Sequence, residues 1–245
     1  MRYFKLFGFL CLLLAVALIA CEKKEGFQDV DVTVKLTDQN WYPLTDHSGV
    51  TVALTKGNET IKGITNENGK SVFPKLPYGS FNVTFEKEGY IPDLIGPFVI
   101  DNTSDSVWSY FFQMVEIPTF RITIDSIFYK SRMDDRAFAY GNITDLKGMP
   151  AVQYVLRIFF GNTPDVSKDN YQFYHFGTIM GRLIKDGRYE MWIINWYGQM
   201  IQGNFDKLYV RIYPCAYYQK WTTLRKEGLG TPAEVFEWVL PENLK

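Results

Sequence analysis

Residues 65–83, TNENGKSVFPKLPYGSFNV, alternate turn-forming residues with residues that favour β-strands. An Asn-Gly pair that ends at Gly69 can supply the positive φ of a tight hairpin, and the Pro-Tyr-Gly run that ends at Gly79 predicts a second turn. Between the turns Phe73 has the spacing of a core residue, and Phe81 begins the apolar face of the next strand. The stretch therefore predicts consecutive antiparallel strands with one buried face.

The alternation of apolar and polar residues extends along the chain on both sides of this stretch. Apolar residues occupy every second position from Val30 to Leu36 and again from Val50 to Leu54. A period of two places successive side chains on opposite faces, which is typical of a half-buried strand. After residue 21 almost no segment shows the spacing of three and four that indicates a helix. The chain is therefore predicted to be all-β.

The first half of the chain contains a wider pattern that includes these turns and strands. Pro43, the GVTVAL run at 49–54 and the Glu-Gly-Tyr run that ends at Tyr90 belong to it. Over residues 29–100 the set resembles the carboxypeptidase regulatory-like, or transthyretin-like, domain, with Asn66 where that family usually has Asp. The resemblance implies a small β-sandwich, which in most members of the family is a spacer or binding module without catalytic activity.

The second half predicts another β-sandwich. Seven candidate strands, a number typical of sandwiches, are predicted at 119–128, 137–143, 152–160, 171–176, 189–196, 207–213 and 234–240. The Tyr209-x-Arg211 pair in the next-to-last strand resembles the immunoglobulin-like and fibronectin type III-like domains. A jelly-roll sandwich of the carbohydrate-binding kind has a compatible number of strands. The predicted fold class is therefore all-β, with two tandem β-sandwich domains.

The charge of the chain changes near residue 117, which divides it into two predicted domains. Residues 28–117 carry six Lys against twelve Asp and Glu, a net charge of −6, and residues 118–245 carry sixteen Lys and Arg against thirteen acids, a net charge of +3. The basic residues of the second domain are dispersed instead of gathered into a stripe. This distribution argues against nucleic acid as a partner.

The N-terminal residues predict export and lipidation. A basic start and a short apolar core lead to LIAC at 18–21, and EKKE follows at 22–25. This order resembles a bacterial lipoprotein signal, in which residues 1–20 are removed and Cys21 carries the lipid. A transmembrane anchor is the disfavoured alternative, because the apolar run is shorter than the ~20 residues that a membrane span needs.

The resemblance to lipoproteins also implies a location. In that family the cysteine thiol takes a diacylglycerol and the freed amine takes a third acyl chain, which is enough for durable attachment to a membrane. Residues 21–27 then form a short tether. The charged run after Cys21 resembles the export signal of surface lipoproteins in Bacteroidota. We therefore expect an outer-membrane lipoprotein, exposed at the cell surface and attached to the membrane through its lipid.

The three cysteines allow no internal disulfide in the mature protein. Cys11 lies in the predicted signal and Cys21 at the lipid site, which leaves Cys215 alone. Cys215 ends a candidate strand, so we predict that it acts as a small buried hydrophobe.

No catalytic or metal-binding motif is present. His47 and His175, the only histidines, have no neighbouring Cys or acid at metal-ligand spacing, and no serine lies in a Gly-x-Ser-x-Gly turn. Asp134 and Asp135 form an adjacent acidic pair in a predicted solvated turn. We expect a protein that is not an enzyme and holds no metal or cofactor. A glycosidase that uses two carboxylates distant in sequence is a third-ranked alternative.

Aromatic residues are the remaining candidates for contact with a ligand. Trp192 and Trp196 share one face of a candidate strand, which favours a packed core over a ligand platform. Tyr217, Tyr218 and Trp221 follow the end of a strand among polar residues, and they fit a core and a platform equally well. Exposed rings at such positions can stack on sugars.

These observations predict a lipid-anchored binding or accessory protein of the cell envelope. Its expected role is the capture of glycans or nutrients beside an outer-membrane uptake system, with a polysaccharide or an outer-membrane protein as partner. The alternative is a structural or assembly lipoprotein, comparable to a scaffold or pilus component, because stacked sandwiches have edge strands that can pair with another chain.

Overall fold

Strands account for nearly all of the regular structure. The computed structural model of the chain describes residues 26–101, 108–131, 136–146, 153–180, 184–194, 205–216 and 226–239. The strands in these residues are β1 (Phe27–Thr37), β2 (Thr51–Lys56), β3 (Glu59–Ile64), β4 (Lys70–Pro77), β5 (Gly79–Glu86), β6 (Asp93–Ile100), β7 (Trp108–Val115), β8 (Arg121–Ile122), β9 (Ser126–Ser131), β10 (Arg136–Thr144), β11 (Gln153–Gly161), β12 (Phe173–Met180), β13 (Arg188–Ile194), β14 (Lys207–Cys215) and β15 (Phe236–Val239). A short 3-10 helix at Lys226–Gly228 is the one helical element in that part of the chain. The predicted all-β fold is confirmed.

The first seven strands form two sheets around one core. One sheet has the order β4-β1-β7, in which β1 is antiparallel to β4 and parallel to β7, and the other has the order β3-β2-β5-β6. The apolar residues of β1 from Val30 to Leu36 are buried, while Asp31, Thr33 and Lys35 on its other face are half-buried. The alternation predicted for this strand is therefore confirmed.

The turn before β4 has the backbone geometry that its sequence predicts. The predicted hairpin is wrong, because β4 lies in the sheet with β1 while β3 and β5 lie in the other sheet. Gly69 has a φ of +81°, and its amide donates a hydrogen bond to the Asn66 carbonyl oxygen at 2.8 Å. The side-chain oxygen of Asn66 accepts from the amides of Asn68 and Lys70, each at 3.0 Å. A Cβ at residue 69 would overlap the Val34 carbonyl oxygen. Asn66 therefore supplies the acceptor that an Asp would supply at this position.

The last eight strands form two further sheets. β10 pairs with β13 on one side and with β8 and β9 on the other, and the second sheet has the order β12-β11-β14-β15. The single strand predicted at 119–128 is split into β8 and β9. The Asn142 amide donates to the Thr123 hydroxyl at 3.1 Å, and the Thr123 carbonyl oxygen accepts from the Tyr189 hydroxyl. Side-chain hydrogen bonds thus replace part of the backbone ladder where the strand is interrupted.

The two sheets of this half differ in what covers their outer faces. β11 is buried on both faces, because Phe159 on its outer side packs against Val166 and Tyr213. Tyr171, from the loop after β11, adds an edge-to-face contact with Phe159 at 5.1 Å between ring centroids. Several outward residues of β9, β10 and β13 are exposed or half-buried instead. The outer face of β9, β10 and β13 is accessible on all three strands, whereas the exposed rings of the other sheet, Tyr174 and Phe176, lie on its edge strand β12.

The two large cores draw on β1–β7 and on the strands from β8 onward, respectively. The segment between the two cores is hydrogen-bonded to the first half. The Ile117 amide donates to the Gly89 carbonyl oxygen at 2.7 Å, and the Thr119 amide donates to the Gln39 side-chain oxygen at 3.2 Å. A small apolar cluster at this junction consists of Ile91, Val115, Ile117 and Ala216.

The predicted signal peptide, Cys21 and most of the tether lie outside the described residues, which begin at Gly26. In the described part of the chain, no helix combines the length and the apolar character that crossing a membrane requires.

Candidate functional site

The outer face of β9, β10 and β13 contains the strongest candidate site. Along β10 small residues alternate with large ones. Ala137, Ala139 and Gly141 are buried on the core side, and Phe138 and Tyr140 lie on the outer side. Neighbouring side chains of a strand point to opposite faces. The small side chains of β10 therefore leave space in the core for side chains of the opposing sheet. The large rings of β10 consequently lie on the accessible face.

Three aromatic residues form a row across these strands. Phe138 is directly opposite Phe128 on β9 and Trp192 on β13. Phe128 is 61 % exposed and Trp192 is 48 % exposed, while Phe138 between them is half-buried. Neighbouring strands lie about 4.8 Å apart, so the outer Cα atoms of the row are about 10 Å apart. A ligand that lies across the strands can contact all three rings.

The rings of this face are steeply inclined to one another. The ring centroids of Phe138 and Trp192 are 6.1 Å apart with planes at 79°, and those of Phe128 and Tyr140 are 5.8 Å apart with planes at 72°. Edge-to-face pairs of this kind contribute about 0.5–1.5 kcal/mol each beyond their buried area. These pairs hold the rings in place, and because their planes are inclined the aromatic surface is uneven.

Polar groups occupy the two rows next to the aromatic row. In the nearer row Tyr140 lies opposite Ser126 and Glu190, and in the farther row Asn142 lies opposite Arg188. Burial of the Tyr140 ring, followed by the charge of Glu190 and the hydrogen bond that Glu190 accepts, raises the pKa of Tyr140. The face therefore changes from aromatic at one end to charged at the other.

The carboxylate of Asp125 is held at the polar end of the face. The Asn142 side-chain amide donates to Asp125 Oδ2 at 3.1 Å. Nearby, the Tyr189 hydroxyl donates to the Thr123 carbonyl oxygen at 2.8 Å. Burial, followed by the charge of Asp125, raises the pKa of Tyr189 above its ordinary value. A Cβ at residue 141 would overlap the same carbonyl oxygen, so Gly141 permits this close approach.

These rows border an open cleft of about 860 Å³, a volume within the usual range for small-molecule sites. Its lining includes the aromatic residues Phe128, Phe138 and Tyr140 and the charged residues Asp125, Arg188 and Glu190. Trp192 lies beside it, against Phe138. Ring faces and hydrogen-bonding groups that converge in this way suit a ligand with an apolar face and a polar edge.

Comparisons with known proteins give structural likeness only. No protein-family model matches the chain, and no curated protein matches it. Among solved structures, it is similar to a DUF3823 family protein from Parabacteroides merdae, with 11 % identity, a TM-score of 0.32, and coverage of 86 % of this chain and 98 % of that one. A Bacteroides uniformis protein described as a candidate carbohydrate binding protein has 14 % identity, a TM-score of 0.29, and coverage of 87 % and 100 %. The major pilin subunit BcpA of Bacillus cereus has 12 % identity, a TM-score of 0.38, and coverage of 87 % and 69 %. All three scores are low, and the site described above rests on its own geometry.

Trp192 is the one predicted site residue that lies in the described part of the chain. The core position that its sequence context favours is wrong, because the ring lies on the outer face and the buried positions of this part of β13 are Met191 and Ile193. The polar residues Arg188 and Glu190 share the face of Trp192, and this is the sequence signal that places the ring on the outside. The other predicted site residues lie outside the described residues: Cys21, Trp196, Tyr217, Tyr218 and Trp221.

The sequence interpretation missed Phe128, Phe138, Tyr140 and Glu190. A signal for two of them is present in AFAYG at 137–141, where small residues alternate with aromatic ones. In a half-buried strand of a sandwich, this pattern is compatible with rings on the outside as well as on the inside. Only the order of the strands brings Phe128 and Trp192 to the two sides of Phe138.

The two histidines have structural surroundings. His47 is buried, and its Nδ1 accepts a hydrogen bond from the Leu36 amide at 3.1 Å. His175 stacks on Phe176 with ring centroids 5.4 Å apart. Burial lowers the pKa of both imidazoles, and the charge of Arg157 lowers that of His175 further. In the part of the chain that the structure describes, no group of three or more His, Cys, Asp or Glu could hold a metal ion.

Cys215 is buried at the end of β14, as its sequence context predicts. Burial raises the pKa of its thiol to about 12, and the Sγ–H donates to the Ala216 carbonyl oxygen at 3.6 Å. The predicted role as a small buried hydrophobe is confirmed. Asp134 and Asp135 lie outside the described residues.

Proposed function

We propose that this protein is a lipid-anchored protein of the cell envelope that binds carbohydrate on the outer face of β9, β10 and β13. The observation that carries the proposal is the row of Phe128, Phe138 and Trp192 beside a cleft that also contains hydrogen-bonding groups. Two of these rings keep about half or more of their surface in water. A ligand that covers them gains the free energy of burying that apolar surface.

Sugars match both parts of this face. A pyranose ring has an apolar face of C–H groups and a rim of hydroxyl groups. The aromatic rings can stack on the C–H face, and Glu190, Asp125 and Arg188 can exchange hydrogen bonds with the hydroxyls. Hydrogen bonds to charged groups contribute about 1.5–3 kcal/mol each, which is more than neutral pairs contribute. The change from rings to charges across the cleft thus fits the two sides of one sugar chain.

A protein partner fits this face less well. The centres of protein interfaces are enriched in aromatic residues but depleted of charged ones. Here Glu190 lies only two residues from Trp192 on the same face of β13, and Asp125 lines the same cleft. Burying these carboxylates against an apolar protein surface would cost their hydration without replacing it. Hydroxyl groups of a sugar would replace it.

A glycan array tests the proposal. The full-length protein, purified in a detergent without a sugar headgroup, is applied to plant, fungal and host polysaccharides. We expect binding to at least one class, and loss of that binding in Trp192→Ala and Phe128→Ala. Phe111→Ala is the matched control, because this ring is 67 % exposed but lies on β7, outside the cleft. The absence of binding on the whole array would refute the carbohydrate function.

The anchor is tested separately from the ligand. The proposal places a lipid on Cys21, and metabolic labelling with an alkyne-bearing fatty acid should mark the wild-type protein. Cys21→Ser should lose the label and leave the membrane fraction. A labelled, membrane-bound Cys21→Ser protein would overturn the proposed lipid anchor at Cys21 while leaving the binding face untouched.

An outer-membrane uptake protein is the proposed partner, and copurification from membranes tests it.

Hydrolysis of the bound sugar is a second candidate activity. The observation in its favour is that Asp125 and Glu190 line the same cleft from opposite sides of β10. Two carboxylates that flank a sugar can act as acid and base. Release of reducing ends from a bound polysaccharide would support this activity, and its loss in both Asp125→Asn and Glu190→Gln would assign it to the pair. Binding without any release of reducing ends would support a binding protein that is not an enzyme.

Assembly remains the alternative function. In the described residues β7 pairs with β1 only, so its other edge has no strand partner there, and Phe111 on this strand is exposed. Such an edge can accept a strand from another chain. Oligomers that resist sodium dodecyl sulfate, and that disappear in Phe111→Lys, would support assembly. A monomer at all concentrations in light scattering would argue against it.

A further inference from the structure

We infer that the ligand of this cleft is a single soluble chain of an uncharged polysaccharide that lies across the strands. The inference rests on the proposed carbohydrate function and adds the direction, the physical form and the charge of the ligand. Each of the three follows from a different feature of the outer face of β9, β10 and β13.

The direction follows from the order of the rows. Across the strands the row of Phe128, Phe138 and Trp192 is aromatic throughout. Along β13, in contrast, Trp192 is followed on the same face by Glu190 and then by Arg188. Stacking on successive sugars requires successive rings, and only the direction across the strands offers them. The row is about 10 Å between its outer Cα atoms, which corresponds to about two sugar units.

The physical form follows from the inclination of the rings. A crystalline polysaccharide is flat and requires coplanar rings. On this face the planes of Phe138 and Trp192 meet at 79°, and those of Phe128 and Tyr140 meet at 72°. The rings also border a cleft of about 860 Å³, which a flat crystal surface cannot enter. A single chain can enter it and present different sides of successive sugars to rings of different inclination.

The charge follows from the position of the carboxylates. Glu190 is two residues from Trp192 on the same face of β13, about 7 Å along the strand, whereas Arg188 is four residues away, about 13 Å. On the Tyr140 side of the aromatic row, where the cleft lies, a stacked sugar therefore meets a carboxylate before it meets the guanidinium. Asp125 adds a second negative charge to the lining. A uronic acid would bring its own carboxylate next to these, and like charges at such distances repel.

The oxygens of these two carboxylates can serve a neutral ligand. An ionised carboxylate has about four acceptor positions. Tyr140 donates to Glu190 and Asn142 donates to Asp125, and both carboxylates keep further acceptor positions. Sugar hydroxyls are donors of the right kind for those positions. The same groups that disfavour an acidic chain thus bind an uncharged one.

Affinity electrophoresis with a defined set of polymers tests the inference. The probes are mixed-linkage β-glucan, xylan and galactomannan as soluble neutral chains and polygalacturonate as a soluble acidic chain. Microcrystalline cellulose, in a sedimentation assay, is the crystalline probe. Wild type, Trp192→Ala and the control Phe111→Ala are compared in each. We expect at least one neutral soluble chain to retard wild type and Phe111→Ala but not Trp192→Ala, and we expect no binding to polygalacturonate or to cellulose crystals.

The other outcomes distinguish the inference from the function on which it rests. Binding of polygalacturonate that depends on Trp192 would overturn the uncharged ligand and leave the carbohydrate function in place. Binding to crystalline cellulose in preference to soluble chains would overturn the single-chain form in the same way. Failure of every probe here and on the array would overturn the carbohydrate function itself.

Glu190→Gln isolates the charge argument. This variant keeps a side chain of the same size and removes one negative charge. We expect polygalacturonate to retard Glu190→Gln but not wild type at low salt, and this difference should diminish at high salt because ions screen the repulsion. Absence of retardation in both proteins at low salt would overturn the assignment of charge selectivity to Glu190.

Discussion

Replacing Trp192 with Ala should weaken carbohydrate binding about tenfold or more. Trp192 is 48 % exposed, and a side chain of its type presents about 250 Å², so about 120 Å² is available to a ligand. A sugar that covers half of this area buries apolar surface worth about 1.5 kcal/mol, at ~25 cal/mol per Å². A difference of about 1.4 kcal/mol is tenfold in Kd. Isothermal titration calorimetry with a soluble polysaccharide from the array measures the change directly.

The variant should remain folded. Its main structural loss is the edge-to-face contact with Phe138, worth about 0.5–1.5 kcal/mol. In a chain of this size that corresponds to a fall in Tm of about 2–5 °C. Phe128→Ala removes the other exposed ring of the row and should weaken binding similarly. Phe111→Ala removes an equally exposed ring outside the cleft and should bind as wild type does.

Two results would refute this reasoning. In the first, Trp192→Ala and Phe128→Ala both keep a cooperative thermal transition and bind within about twofold of wild type. The ring row would then not be the contact surface. In the second, Phe111→Ala loses binding as strongly as Trp192→Ala. The sugar would then bind elsewhere, on the half of the chain that contains β7.

Three further predictions concern stability and reactivity. Burial lowers the folded-state pKa of His47 below 6.5, so the unfolded chain takes up the proton first as the pH falls. The free energy of unfolding, measured in urea, should therefore be constant well above pH 6.5 and fall below it. His47→Asn can still accept a hydrogen bond from the Leu36 amide and should reduce that fall. Gly141→Ala should lower the free energy of unfolding by about 1–3 kcal/mol, because the new Cβ meets the Thr123 carbonyl oxygen; an unchanged Tm would contradict it. Cys215, with a thiol pKa of about 12, should not react with a thiol reagent at pH 8 in the folded protein. It should react once the protein is unfolded in urea, and Cys215→Ala should lack this reaction.

Strands β1, β4 and β5 could be predicted because each alternates buried residues with exposed or half-buried ones. Val30 to Leu36 alternate with polar residues, and the Asn-Gly pair at Gly69 marks the tight turn before β4, so local chemistry determines both. Local chemistry does not determine pairing, since the strands on the two sides of this turn lie in different sheets. The interruption between β8 and β9 could not be predicted. It depends on Thr123, whose hydroxyl and carbonyl both accept hydrogen bonds from residues distant in sequence, Asn142 and Tyr189.

The site could be predicted only in part. Trp192 was a candidate, and its spacing from Trp196 favoured a core position, although Arg188 and Glu190 on the same face of β13 indicate the outer one. The alternation of polar with apolar residues in RYEM at 188–191 predicts the orientation of the strand correctly. Phe128 is distant in sequence from Trp192, and both flank Phe138 only because β9 and β13 pair with opposite edges of β10. That order of strands has no signature in any local pattern.

The most direct test of carbohydrate binding on this face is ¹⁹F nuclear magnetic resonance of the protein labelled with 5-fluorotryptophan. The chain has six Trp, and Trp192→Phe identifies the resonance of Trp192. On titration with a neutral soluble polysaccharide that the array selects, the Trp192 resonance should shift and saturate. The resonance of Trp238, which is buried at 4 % exposure, should stay in place. A saturable shift at other tryptophans with no change at Trp192 would contradict the assignment of the sugar to this face.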